Sequence, residues 1–276
     1  MDKISEYAEN QRRSYDKYSK TIEGAIAQVG RDYEQLSRHG RGIVDLLLAQ
    51  YFLRRGQFYD PRTTNLEHLK VLDFGCGVGR MMEIFRQRGC ERVDGCDISR
   101  EMLKHAAKNP LLANSQFFLG SGADAGKSPS NFYDISYSFL CLHHIPMRQT
   151  RIKVLDALSQ TLVESGMIFI EFKTFPGVTA AKIPANHAHW SENMVAKETN
   201  SLADVWVTPD ALGMVYEDFQ LFFEDIAILE TTRDVDHYKF DPNARYQYEY
   251  NELFVVGSKK RSLRQRLLAA SNDRES

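Results

Sequence analysis

At 276 residues with 43% hydrophobic content, the chain has enough apolar material for one large domain with its own core and should fold unaided. No apolar run approaches the ~18 residues that a bilayer span needs, and Met1-Asp-Lys-Ile-Ser-Glu6 lacks the apolar stretch of a signal peptide, so no membrane span and a cytoplasmic location are expected. A formal net charge of −2 disfavours nucleic acid as a partner, and Cys76, Cys90, Cys96 and Cys141 have no C-x-x-C spacing, which points to reduced thiols and no metal site.

Residues 1–57 are polar and helix-like. Within them Ile43, Val44, Leu46, Leu47 and Leu48 form an apolar patch ahead of Tyr51-Phe-Leu53, which predicts two or three helices capping the functional end of the sheet that follows. Residues 58–258 then form the main domain. The alternation of apolar runs and amphipathic stretches predicts strand 70–74, helix 79–88, strand 92–96, helix 99–107, strands 115–119 and 133–138, helix 147–163 and strand 166–172, a parallel βαβ series with right-handed crossovers. After Lys173 the alternation breaks. Residues 174–207 hold Pro176, Gly177, Pro184 and the polar His187-Ala-His-Trp190, with no sustained period, and read as an inserted lid. Thr208 as N-cap and Pro209 at the first helical position restart order. Residues 222–231 and 252–257 are the last two strands, and the chain from Ser258 on is a frayed tail, basic through Arg266, with 259–276 as its own segment.

One stretch carries the chemistry. In Val71-Leu-Asp-Phe-Gly-Cys-Gly-Val-Gly-Arg80 an apolar strand runs into glycines at alternate positions and then into a helix. Gly75, Gly77 and Gly79 can take φ > 0 or leave room for a ligand, and the helix that opens near Arg80 aims its free N–H groups there. Further on, Val93-Asp-Gly-Cys-Asp97 is a second strand ending in an acid, the position from which a carboxylate can bind both hydroxyls of a ribose. These are the parts of a nucleoside site. A dinucleotide fingerprint would need a small residue at position 80, where this chain has Arg80, so NAD is disfavoured.

The pattern from Asp73 to Gly79 followed by an acid-ended strand resembles the class I S-adenosylmethionine-dependent methyltransferases of the small-molecule type, over residues 68–174. Asp97-Ile-Ser-Arg-Glu-Met102 is similar to that family's adenosine-binding turn, and Tyr133-Asp-Ile-Ser-Tyr-Ser-Phe-Leu-Cys-Leu-His-His-Ile145 to its fourth strand and the loop beyond. The resemblance implies an α/β fold, a doubly wound, mostly parallel seven-stranded sheet with helices on both faces, an antiparallel last strand and an N-terminal helical extension. It implies S-adenosyl-L-methionine as cofactor, with Asp97 on the ribose, Ile98 and Met102 covering adenine, and Gly75, Cys76, Gly77 and Gly79 beside the methionine arm. Phe139 and Leu140 belong to the same wall. Asp73 has two readings, a contact to the ligand's ammonium or hydrogen bonds to the loop's own N–H groups.

The family's acid after the third strand is missing: Ser121 stands in its place and Asp124 comes three positions late, so the backbone at Gly122 and Ala123 is the expected adenine contact. His143, just past the fourth strand, is chosen over His144 as the general base, on the expectation that the first points into the pocket and the second into the fold. Tyr15 and Tyr18 resemble the N-terminal tyrosine segment that such enzymes fold over the cofactor. His187, His189 and Trp190 are placed at the acceptor; the two histidines lack the spacing of a metal pair. A small-molecule acceptor, such as a sugar, lipid precursor or secondary metabolite, is the first reading. The alternatives are a macromolecular methyltransferase and a catalytically silent S-adenosylmethionine-binding subunit, since the scaffold does not name the acceptor.

Overall fold

The protein is described from a computed structural model that covers residues 3–21, 33–174, 188–190, 205–231 and 251–262. Its central sheet has seven strands in the order β3-β2-β1-β4-β5-β9-β8. The strands are β1 (Lys70–Phe74), β2 (Arg92–Asp97), β3 (Phe117–Leu119), β4 (Tyr133–Ser138), β5 (Leu162–Thr174), β8 (Phe223–Thr231) and β9 (Asn251–Lys260). The short pair β6 (Ala188–His189) and β7 (Val205–Trp206) lies apart from it. The first five strands of the sheet run parallel, Val71 facing Val93 on one side and Ile135 on the other, whereas β9 is antiparallel to both β5 and β8. Parallel strands are covered on both faces and therefore read as largely apolar runs; Val71–Phe74 and Ile168–Phe172 are such runs, each broken by one acid, Asp73 and Glu171.

Helices cover both faces. On one lie α2 (Tyr33–Leu53), α3 (Arg80–Gln87) and α4 (Arg100–Ala106), where Val44, Leu47, Leu48 and Phe85 pack with Val71, Ile135, Phe169 and Phe254. On the other, α5 (Arg148–Thr161) and α6 (Leu212–Gln220) bury Val154, Leu158 and Phe219 against Leu72, Ile168 and Ile170. Among the described residues no helix is long and apolar enough to cross a membrane.

Three elements depart from the sequence expectation. Residues 33–53, expected over the functional end, instead lie on a sheet face: their apolar stripe is long enough to serve as a core wall, and among the described residues α1 (Lys3–Tyr18) is the helix that crosses the strand ends. The third strand is three residues long; just before it the Gln116 N–H donates to the Asp94 carboxylate at 2.8 Å while the Gln116 carbonyl accepts from the Gly95 N–H at 2.9 Å. The ninth strand runs on through Lys260, so Ser258–Lys260 belong to the ladder and not to a frayed tail. The Ser258 hydroxyl donates to Asp225 at 3.0 Å, and the Lys260 ammonium donates to Asn131 at 2.9 Å and to the Leu162 carbonyl at 3.2 Å. Residues 263–276 and most of 174–207, the expected lid, lie outside the described residues. The described pieces of the latter are packed down: Trp190, Val205 and Val207 are buried, and Val207 bridges to Thr174.

If α2 is a wall of the core, then Leu48→Ala, at a fully buried position, should cost about 2–5 kcal/mol in chemical denaturation while the transition stays single. A loss below about 1 kcal/mol, or a separate early transition, would mean that this helix is a detachable cap.

Candidate active site

The turn between β1 and α3 is built by backbone. Gly75, Gly77 and Gly79 have φ of +77°, +54° and +85°, a region that other residues enter at a cost. At Gly75 the reason is also steric, since a Cβ there would lie 2.3 Å from Cys141 Sγ. The N–H groups of Gly75 and Cys76 donate to the Cys96 carbonyl at 2.7 and 3.1 Å, and that of Gly79 to the Cys76 carbonyl at 2.9 Å. The Gly77 N–H donates to Asp97 Oδ2 at 2.8 Å, and the Ser99 N–H to Asp97 Oδ1 at 2.8 Å. One carboxylate therefore ties the first crossover to the second. The N-cap of α4 is Ser99, whose hydroxyl accepts from the Met102 N–H at 3.1 Å, which leaves Asp97 outside the cap itself.

Two buried carboxyls flank this turn. Burial pushes Asp97 up to about 6, opposed by the N–H groups of Ser99 and Gly77 and reinforced by the charge of Asp16. Asp73, below the turn, is pushed up to about 7 by burial, with the Tyr137 hydroxyl favouring its charged form, Asp97 disfavouring it and Arg80 favouring it. The amides of Gly75, Cys76, Gly77 and Gly79 go to Cys96, Asp97 and Cys76 and not to Asp73, so the loop-bracing reading of Asp73 is not the arrangement seen.

Over these groups lies α1. Asp16 Oδ1 accepts from the Ser99 hydroxyl at 2.6 Å and from the Glu101 N–H at 3.3 Å. Tyr15 packs against the cluster of Val78 and Met102. Gly122, at φ +89°, sits so near Ile98 that a Cβ would come within 2.9 Å of its Cδ1 and 3.4 Å of Ala8 Cβ. Tyr15 thus meets Val78 and Met102, and Gly122 meets Ile98, the residue after Asp97, with Ala123 next in the chain; the Tyr18 side chain lies outside the described residues. Asp124 spends its carboxylate locally, on the Ser121 hydroxyl and on the N–H groups of Ser121 and Gly126. Partial burial raises it, but those hydrogen bonds outweigh burial and hold it below the usual carboxylate range.

The loop after β4 forms the other wall. Phe139 is buried, and Leu140 stands at φ +53°, a strained conformation for a side chain of its size. The Leu140 N–H donates to Glu171 Oε2 at 2.8 Å. The same oxygen lies 3.9 Å from His143 Nδ1, and both side chains are about 1% exposed. His144 lies against His143, ring centroids 3.9 Å apart and planes tilted by 53°, and is the more exposed of the two. Its carbonyl accepts from the Tyr7 hydroxyl at 3.2 Å and from the Gln11 amide at 2.5 Å.

Trp190 and His189, placed at the acceptor by sequence, are held elsewhere. Trp190 is fully buried, edge-on to Phe172 at 4.7 Å, with its indole N–H donating to Asp218 at 2.9 Å and the Arg151 guanidinium over its ring at 4.4 Å. It fills the core and has no surface to offer a substrate. His189 is buried and its Nε2 lies 2.8 Å from the Thr208 hydroxyl, the group expected to cap the next helix. His187 is outside the described residues. Glu171, Gln11 and Asp16 were not among the sequence candidates. Glu171 did leave a signal, a lone acid inside Met167-Ile-Phe-Ile-Glu-Phe172. No group of three or more His, Cys, Asp or Glu placed to hold a metal ion occurs among the described residues.

Residues 71–166 match the family model of the methyltransferase domain. The chain is similar to the ubiquinone biosynthesis O-methyltransferase of Leptothrix cholodnii, 30% identical over 109 residues that cover 38% of this chain and 44% of that protein. It is also similar to the mitochondrial ubiquinone biosynthesis O-methyltransferase of Dictyostelium discoideum, 26% identical over 197 residues that cover 61% of each. It therefore spans roughly half the length of these curated relatives. In structure it resembles the geranyl diphosphate C-methyltransferase of Streptomyces coelicolor, with a TM-score of 0.56 and 10% identity over 92% of this chain and 97% of the other, a likeness of fold.

The two raised carboxyls have a consequence for stability. In the unfolded chain both titrate near 4, whereas in the fold they hold their protons up to about 7 and about 6. The folded state therefore binds more protons between about pH 4 and 7, and these groups make stability fall as pH rises through that window. Asp73→Asn removes one share and should flatten the loss in denaturant titrations between pH 4 and 7. The wild-type slope in that variant would contradict a raised Asp73.

Proposed function

We propose that this chain, which belongs through residues 71–166 to the class I S-adenosylmethionine-dependent methyltransferase family, transfers a methyl group from S-adenosylmethionine to a hydroxyl of a small-molecule acceptor. The observation that carries this reading is the positive-φ turn at Gly75–Gly79 joined through the Gly77 amide to Asp97. The residues present fit the cofactor. A Cβ would fill the cradle at Gly75, and a carboxylate suited to a ribose diol stands at the end of β2. Val78, Ile98 and Met102 supply apolar surface beside it, with Gly122 and Ala123 as backbone on the adenine side. Asp73, with Cys76, Phe139 and Leu140 near it in the turn and the facing loop, would receive the methionine end, its charge matching an ammonium.

When bound, S-adenosylmethionine supplies an activated methyl group on a sulfonium. The protein's part is to fix the acceptor in line, to keep water out and to take the acceptor's proton. Tyr7, Gln11, Tyr15 and Asp16 of α1 serve the second task by lying across the turn and both flanking loops. His143 serves the third. A hydroxyl acceptor is supported by the names of both curated relatives, which are O-methyltransferases, and a small one by the cover that α1 places over the strand ends.

Calorimetry with S-adenosylhomocysteine should show binding to the wild type, weakened by about 1.5–3 kcal/mol in Asp97→Ala, where two charge-assisted hydrogen bonds are lost. Equal affinity in a variant that keeps its thermal transition would remove Asp97 from the site. His143→Ala should retain that binding and lower turnover of a hydroxyl acceptor about 10²- to 10⁴-fold. Full turnover from pH 6 to 9 would rule it out as the base.

A further inference from the structure

Glu171 is a puzzle for the packing alone. It lies in β5 between Ile170 and Phe172, in a strand whose neighbours are buried apolar residues, and is itself about 1% exposed. A carboxylate is kept in such a place only when donors surround it. Two groups approach Oε2: the Leu140 N–H at 2.8 Å and His143 Nδ1 at 3.9 Å. Leu140 holds φ +53° to make the first contact, so the loop after β4 bears local strain on the side that faces this acid. From the other side Tyr7 and Gln11 hold the carbonyl of His144. The histidine pair thus lies between a strand below and α1 above.

We propose that Glu171 is the positioning residue for His143: its carboxylate holds the Nδ1–H of the imidazole and so presents Nε2 as the atom that takes the acceptor's proton. The proposal rests on the reading of His143 as the base. As a lone pair of the acceptor oxygen bonds the methyl carbon, the carbon–sulfur bond breaks and its pair goes to sulfur, which leaves as a neutral thioether; the O–H pair stays on oxygen and the proton goes to Nε2. The ring becomes an imidazolium beside the Glu171 carboxylate, and no oxidant, reductant or metal enters the balance. In water a neutral imidazole favours the Nε2–H form, which would present the wrong atom; a carboxylate on Nδ1 reverses that choice. At 3.9 Å the Nδ1–Oε2 pair is an approach longer than a hydrogen bond, and catalytic contacts of this kind tighten in the reacting complex.

The test reads the tautomer directly. In the full-length protein with labelled histidine, nitrogen NMR at pH 8 in the presence of S-adenosylhomocysteine should place the proton of neutral His143 on Nδ1, with His143→Ala assigning the signal. Glu171→Gln, which keeps a carbonyl oxygen for the Leu140 N–H, should move His143 toward the Nε2–H form. With catechol as the probe acceptor the same variant should lower kcat about 10²- to 10⁴-fold and leave S-adenosylhomocysteine affinity within about twofold. A wild-type His143 in the Nε2–H form overturns the proposal without any variant, and so does a Glu171→Gln protein whose His143 signals are unchanged. The two failures are separable. A wild-type protein that holds His143 in the Nε2–H form yet still needs His143 for turnover removes Glu171 alone, whereas full turnover by His143→Ala removes the base and the positioning role with it.

Discussion

The constraint on which the site depends is the reversal from β1 into α3 over Gly75–Gly79. A strand that ends at Phe74 must turn into a helix that starts at Arg80 while passing over Cys141, and position 75 must be glycine because a Cβ there would lie 2.3 Å from the Cys141 sulfur. The turn is stitched to β2, through the Cys96 carbonyl and the Asp97 carboxylate. Asp97 in turn orients Ser99, Ser99 caps α4 and donates to Asp16, and Asp16 brings α1 across the strand ends. A chain of hydrogen bonds therefore runs from a backbone turn to a covering helix. Disturbing its first link would loosen both the cradle and its cover.

Electrostatically the site is more acidic than the whole chain. Asp16, Asp73, Asp97 and Glu171 all lie about the turn and the facing loop, and Arg80 is the cation that favours the charged form of Asp73. Burial raises Asp73 and Asp97, so the cradle keeps part of its charge masked by protons near neutrality. A ligand that brings positive charge stabilises the ionised forms and releases those protons, which couples binding to pH in a direction that a neutral nucleoside would not share.

Much of this was legible in the residues, for reasons that also explain what was not. The first, second and fourth strands read correctly because each sets short apolar or β-branched stretches between turn residues, in KVLDF, RVDGCD and YDISYS, and the glycines at 75, 77 and 79 announced a backbone that bends to φ > 0. Apolarity says that a residue is buried but not against what, so the stripe at Ile43–Leu48 was assigned to a cap when it forms a wall of the core. Trp190 sits in a polar stretch and looked available to a substrate, but its indole N–H meets Asp218 and its ring meets Phe172 and Arg151, partners far off in the chain. Glu171, Gln11 and Asp16 act through contacts that exist only once β5 and α1 have been brought to the same end of the sheet. No local pattern of spacing carries that information.

Hydrogen–deuterium exchange of the whole protein with and without S-adenosylhomocysteine tests most directly whether turn, acid and covering helix form one site. Slowed exchange should be confined to residues 74–80, 97–102 and 119–123 and to α1, with the faces lined by α5 and α6 unchanged. Protection of the turn without α1 would contradict the cover assigned to that helix. No protection at 74–80, or protection only at other parts of the sheet, would contradict a nucleoside site at this turn altogether.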